Sequence, residues 1–201
     1  MIGSVVLKPE LMTSAPLSVL PDPLLQRLYD YWLSRRHGRV VPERRDIDPL
    51  DMPRALLPHL LLVELEGAGP RIRYRLIGTE IGKRYGEDFT GRYLDEVSGP
   101  YYRDLLQDIY RRMRAHAKPI YAEGLFYIGD NIIAKTCRLY LPLAQDGEIT
   151  MALAGQTFPT YPFDRPDFFD VIRPAVTGEN ARHREWLLEP MPELKLESAV
   201  A

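Results

Sequence analysis

Proline placement is the strongest constraint on what this 201-residue chain can fold into. Of its 18 prolines, eight fall at or before residue 60 and six after 157, leaving four for the stretch between. A proline fixes φ and removes a backbone donor, so it is excluded from helix middles and sheet interiors. Residues 60–157 therefore read as a regular domain between irregular flanks. The expected organisation is a flexible N-terminal segment over 1–21 and an N-terminal helix with a proline-rich connector over 22–58. The core domain follows over 59–158, and an aromatic-rich extension over 159–201. The chain ends, about the first dozen residues and 194–201, are expected to fray.

Composition narrows the class. A hydrophobic fraction of 45% with 27% charged residues is ordinary for a globular protein, and this length can bury a core without metal or disulfide staples. Basic and acidic residues nearly balance, 26 against 28, which excludes a general polyanion-binding character. The single cysteine, Cys137, has no internal disulfide partner, and no Cys/His spacing suits a metal. No run approaches the roughly 20 apolar residues of a membrane span, and no leader pattern is visible. A cytoplasmic protein is expected.

In the N-terminal flank, Asp22 reads as a helix cap, Pro23 as the first helical residue and Gly38 as the stop. Leu24, Leu25, Leu28, Tyr31 and Trp32 make one stripe on that helix, which must cover something because so short a helix is marginal alone. Strands are predicted over 59–66 and 71–79. In the second, Arg71, Arg73 and Arg75 alternate with Ile72, Tyr74 and Leu76. Short helical pieces fill 79–97, and a longer helix runs over 100–117 with Tyr102, Leu105, Leu106, Ile109 and Met113 on its apolar face. Three strands close the domain, over 119–128, 132–143 and 148–158, joined by hairpin signals at Gly129-Asp130-Asn131 and Gln145-Asp146-Gly147.

Several segments together resemble a PAS domain. RYRLIGTEIGKRYGEDFTGRYLDEV is similar to the PAS stretch from the second strand through the short helices, and CRLYLPLAQDGEITMALAGQTF to its closing hairpin. Tyr31-Trp32, the DIDP at 46–49 and LLPHLLLVE at 56–64 look like a bacterial family of small stand-alone PAS-like proteins. The resemblance covers about 22–158. It implies an α+β fold, a five-stranded antiparallel sheet with helices on one face, here with an N-terminal helix and a C-terminal extension. It further implies a cavity between sheet and helices for a small ligand, and signalling by changes in packing. Flavin photochemistry in this fold needs a reactive cysteine where this chain reads Gly91-Arg92-Tyr93-Leu94. His116 could be considered for haem, but at the last turn of its helix it reads better as a partner of the helix dipole. The cofactor is left unknown.

The last two strands carry apolar residues on both faces. Thr136, Arg138 and Tyr140 share one side of the first, with Cys137, Leu139 and Leu141 on the other. If Gly155-Gln156 matches its PAS counterpart, Gln156 points into the cavity beside the small Ala152 and Ala154. Thr136, Arg138 and Tyr140 then join it, with Tyr74, as candidate ligand-binding residues, and Arg138 can anchor a carboxylate or phosphate. The opposite face would be covered by the stripe of the N-terminal helix, in the same chain or across a dimer. The competing reading turns Thr136, Arg138 and Tyr140 to water, since a one-residue register slip exchanges the faces.

Other patterns carry less. The basic clusters Arg35-Arg36-His37 and Arg111-Arg112-Arg114 lack a DNA-reading helix pair and read as solvated faces, so no nucleic-acid partner is expected, and no membrane. No nucleophile, acid/base pair or metal-ligand set marks catalysis. The leading expectation is a non-catalytic sensory module that binds a small molecule and signals to a protein partner, with a homodimer possible. The alternative is a ligand-free dimerisation or adaptor module. No histidine-kinase, cyclase or DNA-binding output domain is expected in the remaining length, so any signal is expected to pass by contact with another protein.

Overall fold

The structure is a computed structural model that describes residues 10–15, 20–69, 71–128, 131–159 and 181–188. Helix α1 (Pro23–Ser34) forms where the cap pattern predicts: the Asp22 carboxylate accepts from the Leu24 N–H at 2.8 Å, and Pro23 fills the first turn. His37 and Gly38, both at positive φ, lie just beyond its end. Three short 3-10 turns (Arg44–Asp46, Pro49–Asp51 and Arg54–His59) carry the proline-rich connector to the sheet. The order is then β2 (Leu60–Glu66), β3 (Arg71–Ile77), α2 (Thr79–Tyr85), α3 (Leu94–Val97) and α4 (Pro100–His116). It closes with β4 (Ile120–Ile128), β5 (Asn131–Gln145) and β6 (Glu148–Thr157).

Strands β4-β5-β6-β2-β3 form a five-stranded antiparallel sheet in that spatial order. Two further strands, β1 (Glu10–Ala15) and β7 (Ala181–Leu188), extend it to seven. Strand β7 pairs antiparallel with β4, and β1 runs parallel to β7. Neither was expected. The β7 sequence, ARHREWLL, is charged over its first half and lacks the alternation by which a strand is recognised. Most of the aromatic-rich extension, and the fraying expected of 194–201, lie outside the described residues.

The sheet divides the core in two. On one face α1 packs Leu25, Leu28 and Trp32 onto Leu139, Leu141, Met151 and Leu153, so the stripe is covered within the same chain. On the other face α2, α3 and α4 bring Ile81, Leu94, Leu106, Ile109 and Met113 against Val63, Ile72, Ala122, Ala152 and Ala154. Strands β5 and β6 are thus buried on both sides, which accounts for their apolar residues on both faces.

Two local details decide side-chain placement. The β5–β6 hairpin turns on Asp146 and Gly147, both at positive φ, so Gln145 pairs directly with Glu148 and the register follows from the turn. In β3 the expected alternation breaks. Val63 pairs with Tyr74 while Leu62 pairs with Leu76, leaving Arg75 as an extra residue in a bulge. The bulge turns Leu76 outward, 40% exposed, and Ile77 takes the buried place instead.

Pro142, within β5, obeys the exclusion rule in an instructive way. Strand β4 starts at Ile120, opposite Tyr140, so beyond Tyr140 that side of β5 has no strand to receive an N–H. The Pro142 carbonyl there accepts from the Trp32 indole N–H at 2.9 Å, tying α1 to the sheet. Among the described residues no helix is long and apolar enough to cross a membrane, and no group of three or more His, Cys, Asp or Glu side chains could hold a metal.

Candidate functional site

Between the sheet and the helices lies a cavity of about 700 Å³, within the range of pockets that hold small organic ligands. Its sheet wall is formed by Leu61 of β2, Tyr74 of β3, Arg138 and Tyr140 of β5, and Ala154, Gly155 and Gln156 of β6. The helical wall brings Tyr85 from the end of α2, Glu87 and Phe89 from the following loop, Val97 at the end of α3, Ser98 and Gly99 after it, and Pro100, Tyr102, Leu106 and Tyr110 from α4. The last three are spaced i, i+4, i+8, one row along the helix. Leu105, Ile109 and Met113 form the neighbouring row and pack into the core.

The register explains why the polar residues meet. Arg138 pairs with Gln156 and Tyr140 with Ala154, so their side chains stand side by side on the same sheet face. Arg138 is 8% exposed and Gln156 2%. Both donate to one atom, the Tyr85 hydroxyl: Nη2 of Arg138 at 2.8 Å and Nε2 of Gln156 at 2.9 Å. The guanidinium also lies over the Tyr102 ring, 5.1 Å from its centroid. Aromatic edges complete the lining, with Tyr74 and Phe89 meeting edge-on at 4.7 Å and Tyr110 and Tyr140 at 5.3 Å.

The electrostatics of this wall are one-sided. Among the described residues Arg138 forms no ion pair, and its Nε has no hydrogen-bond partner. Burial works against its charge, but the Tyr85, Tyr140 and Tyr74 side chains more than offset this, and its pKa is held above the ordinary value. The group stays cationic. Glu87, the one carboxylate of the lining, is engaged by Arg92 at 3.0 Å. Burial drives the Tyr74 and Tyr110 hydroxyls well above their usual range, so both remain protonated phenols.

Of the five candidates read from the sequence, Tyr74, Arg138, Tyr140 and Gln156 line the cavity. Thr136 lies on the same side of β5 and is buried, with its hydroxyl unpartnered, but it is not part of the lining. The face that carries these residues is turned to the helices and not to water. Tyr85, which gathers both donors, was not singled out in the sequence; its signal is the i, i+4 spacing to the buried Ile81 on the same short helix. His59, the last residue of the 3-10 turn before β2, places Nδ1 3.1 Å from the Gln156 backbone oxygen. His116 sits in the last turn of α4, where a cation suits the helix dipole.

A twisted antiparallel sheet, a cover of short helices ending in one long helix, and a hollow between them define a ligand-sized α+β domain of the PAS type. The chain belongs to the PAS domain family: the family model matches residues 21–157, which takes in α1 as well as the five-stranded sheet. PAS domains are generally sensory and signalling modules. No curated protein matches the chain.

Proposed function

We propose that this protein is a non-catalytic sensory module that binds a small ligand in the cavity and passes its state on by contact with another protein. The observation that carries the reading is Arg138: a charged group at 8% exposure, on the wall of an open cavity, with no counter-ion among the described residues. A charge removed from water without a partner costs several kcal/mol, and a bound anion offsets that cost. Tyr74, Tyr140 and Gln156 share the wall and form the rest of the proposed binding surface, with the buried Thr136 next to Arg138 on the same side of β5. Tyr74 and Tyr110 are held protonated by burial and Glu87 is already paired with Arg92, which suits recognition better than turnover.

Readout by a protein partner is supported by exposed apolar side chains near the end of α1. Leu50 is 92% exposed and Val40 is also open to solvent. The purified full chain should be examined by native mass spectrometry with an absorbance scan, and by thermal melting against a small-molecule library. A stoichiometric small molecule, or a compound that raises Tm, is the expected result. A chain that carries none and whose Tm no compound moves, behaving only as a tight dimer, would replace this reading with a ligand-free adaptor.

A further inference from the structure

The chemical class of the ligand follows from the charge and texture of the cavity, and the argument rests on the cavity being a ligand site. Among the lining residues Arg138 is the single cation. One buried positive charge is balanced by one negative charge. A phosphate monoester carries close to two at neutral pH, and its second charge would face a wall with no further cation and with Glu87 present. A carboxylate is planar, singly charged and matched to the guanidinium fork.

The rest of the wall is of another kind. Phe89, Tyr102, Leu106 and Tyr110 present rings and aliphatic carbon, which reward an apolar body and offer no second charge to hold a polar one. An α-amino acid would place its ammonium beside its own carboxylate, next to Arg138, where the surrounding groups are hydroxyls, the neutral Gln156 amide and the like-charged guanidinium, while Glu87, the one carboxylate of the lining, is already engaged by Arg92. We infer that the ligand is a monocarboxylic acid with an apolar body, its carboxylate on Arg138 and its body against the α4 row and Phe89.

The test uses the intact chain, isothermal titration calorimetry and thermal melting. The probes are phenylacetate and octanoate, their neutral primary amides, and phenyl phosphate. At least one of the two acids is expected to bind and raise Tm, with its amide weaker by at least about 30-fold, the loss typical when one partner of a buried charge pair is removed. Arg138→Met and Arg138→Gln should remove the preference for acid over amide while leaving the far-ultraviolet circular dichroism unchanged. Preference for phenylacetate over octanoate assigns an aromatic acid, and the reverse an aliphatic one; either supports the class. Equal affinity for acid and amide, or tighter binding of phenyl phosphate, overturns the carboxylate assignment while sensing stands. Persistence of the acid preference in both variants overturns the role of Arg138. If none of the probes binds but the native protein carries a small molecule without a carboxylate, the class is wrong and the sensory reading survives.

Discussion

A guanidinium withdrawn from water wants an anion, and at Arg138 the hydrogen-bond acceptor is the Tyr85 hydroxyl, 2.8 Å away. In the empty protein this residue is therefore a liability. Arg138→Met keeps the length and apolar stem of the side chain and removes a buried charge that has no ion-pair partner among the described residues. The unliganded variant should melt at least about 2 °C above the wild type in differential scanning calorimetry. A variant that melts several degrees lower would mean that the arginine holds the fold together and is not held in readiness for a ligand. On the proposed reading, the site sacrifices stability for recognition, a common arrangement at functional positions. Arg138 and Gln156 could be found in the sequence because both sit on strands joined by a two-residue turn, where alternation assigns faces. Tyr85 and the α4 row could not, since a helix with a wide apolar face does not reveal which of its rows meets packed carbon and which meets a hollow.

At the scale of elements, two glycines fix how closely neighbours approach. A Cβ built on Gly78 would lie 2.3 Å from the Pro58 backbone oxygen, so the start of α2 rests against the connector through bare backbone. At Gly155 the same atom would meet the side-chain ends of Leu28 and Leu25 at 2.5 and 2.9 Å. Backbone cannot retreat as a leucine tip can, so Gly78→Ala should destabilise the protein more than Gly155→Ala. The Gly155 variant is expected to cost about 1–3 kcal/mol, the range for overpacking a core. Urea unfolding of the two variants would reveal the order, and a more damaging Gly155→Ala would contradict it. Helix α1, the long helix and the closing hairpin were legible because caps, turns and periodicity agree in each. The face of β3 was misread at one place, Leu76, because a bulge leaves no mark in the alternation that precedes it.

The whole molecule has a cavity-side core rich in phenols, and this ties its stability to alkaline pH. Burial raises the pKa of Tyr74 and Tyr110 in the folded state. Their stabilising contribution is complete below the unfolded value of about 10 and is lost as pH rises from there towards the raised folded values, because only the unfolded chain releases its protons. Unfolding midpoints in urea should hold steady from pH 8 to 9.5 and then fall, and Tyr74→Phe should make that fall shallower. A profile unaffected by Tyr74→Phe would show that this hydroxyl stays protonated for some other reason or titrates freely. At this scale the order of strands and helices was readable from 22 to 158, and the two outermost strands were not, since pairing between residues about 170 apart, as in Glu10 with Arg184, leaves no local pattern.

Strand β6 has the cavity on one side and α1 on the other, and at Gly155 nothing but main chain separates them. On the proposed reading, the sheet at this point would act as a diaphragm. A guest that pressed on Gln156 or Ala154 would bear on the very backbone against which Leu25 and Leu28 lean, with no intervening side chain at Gly155 to absorb the displacement. The helix outside would then feel the contents of the chamber mechanically, through the thickness of a single strand.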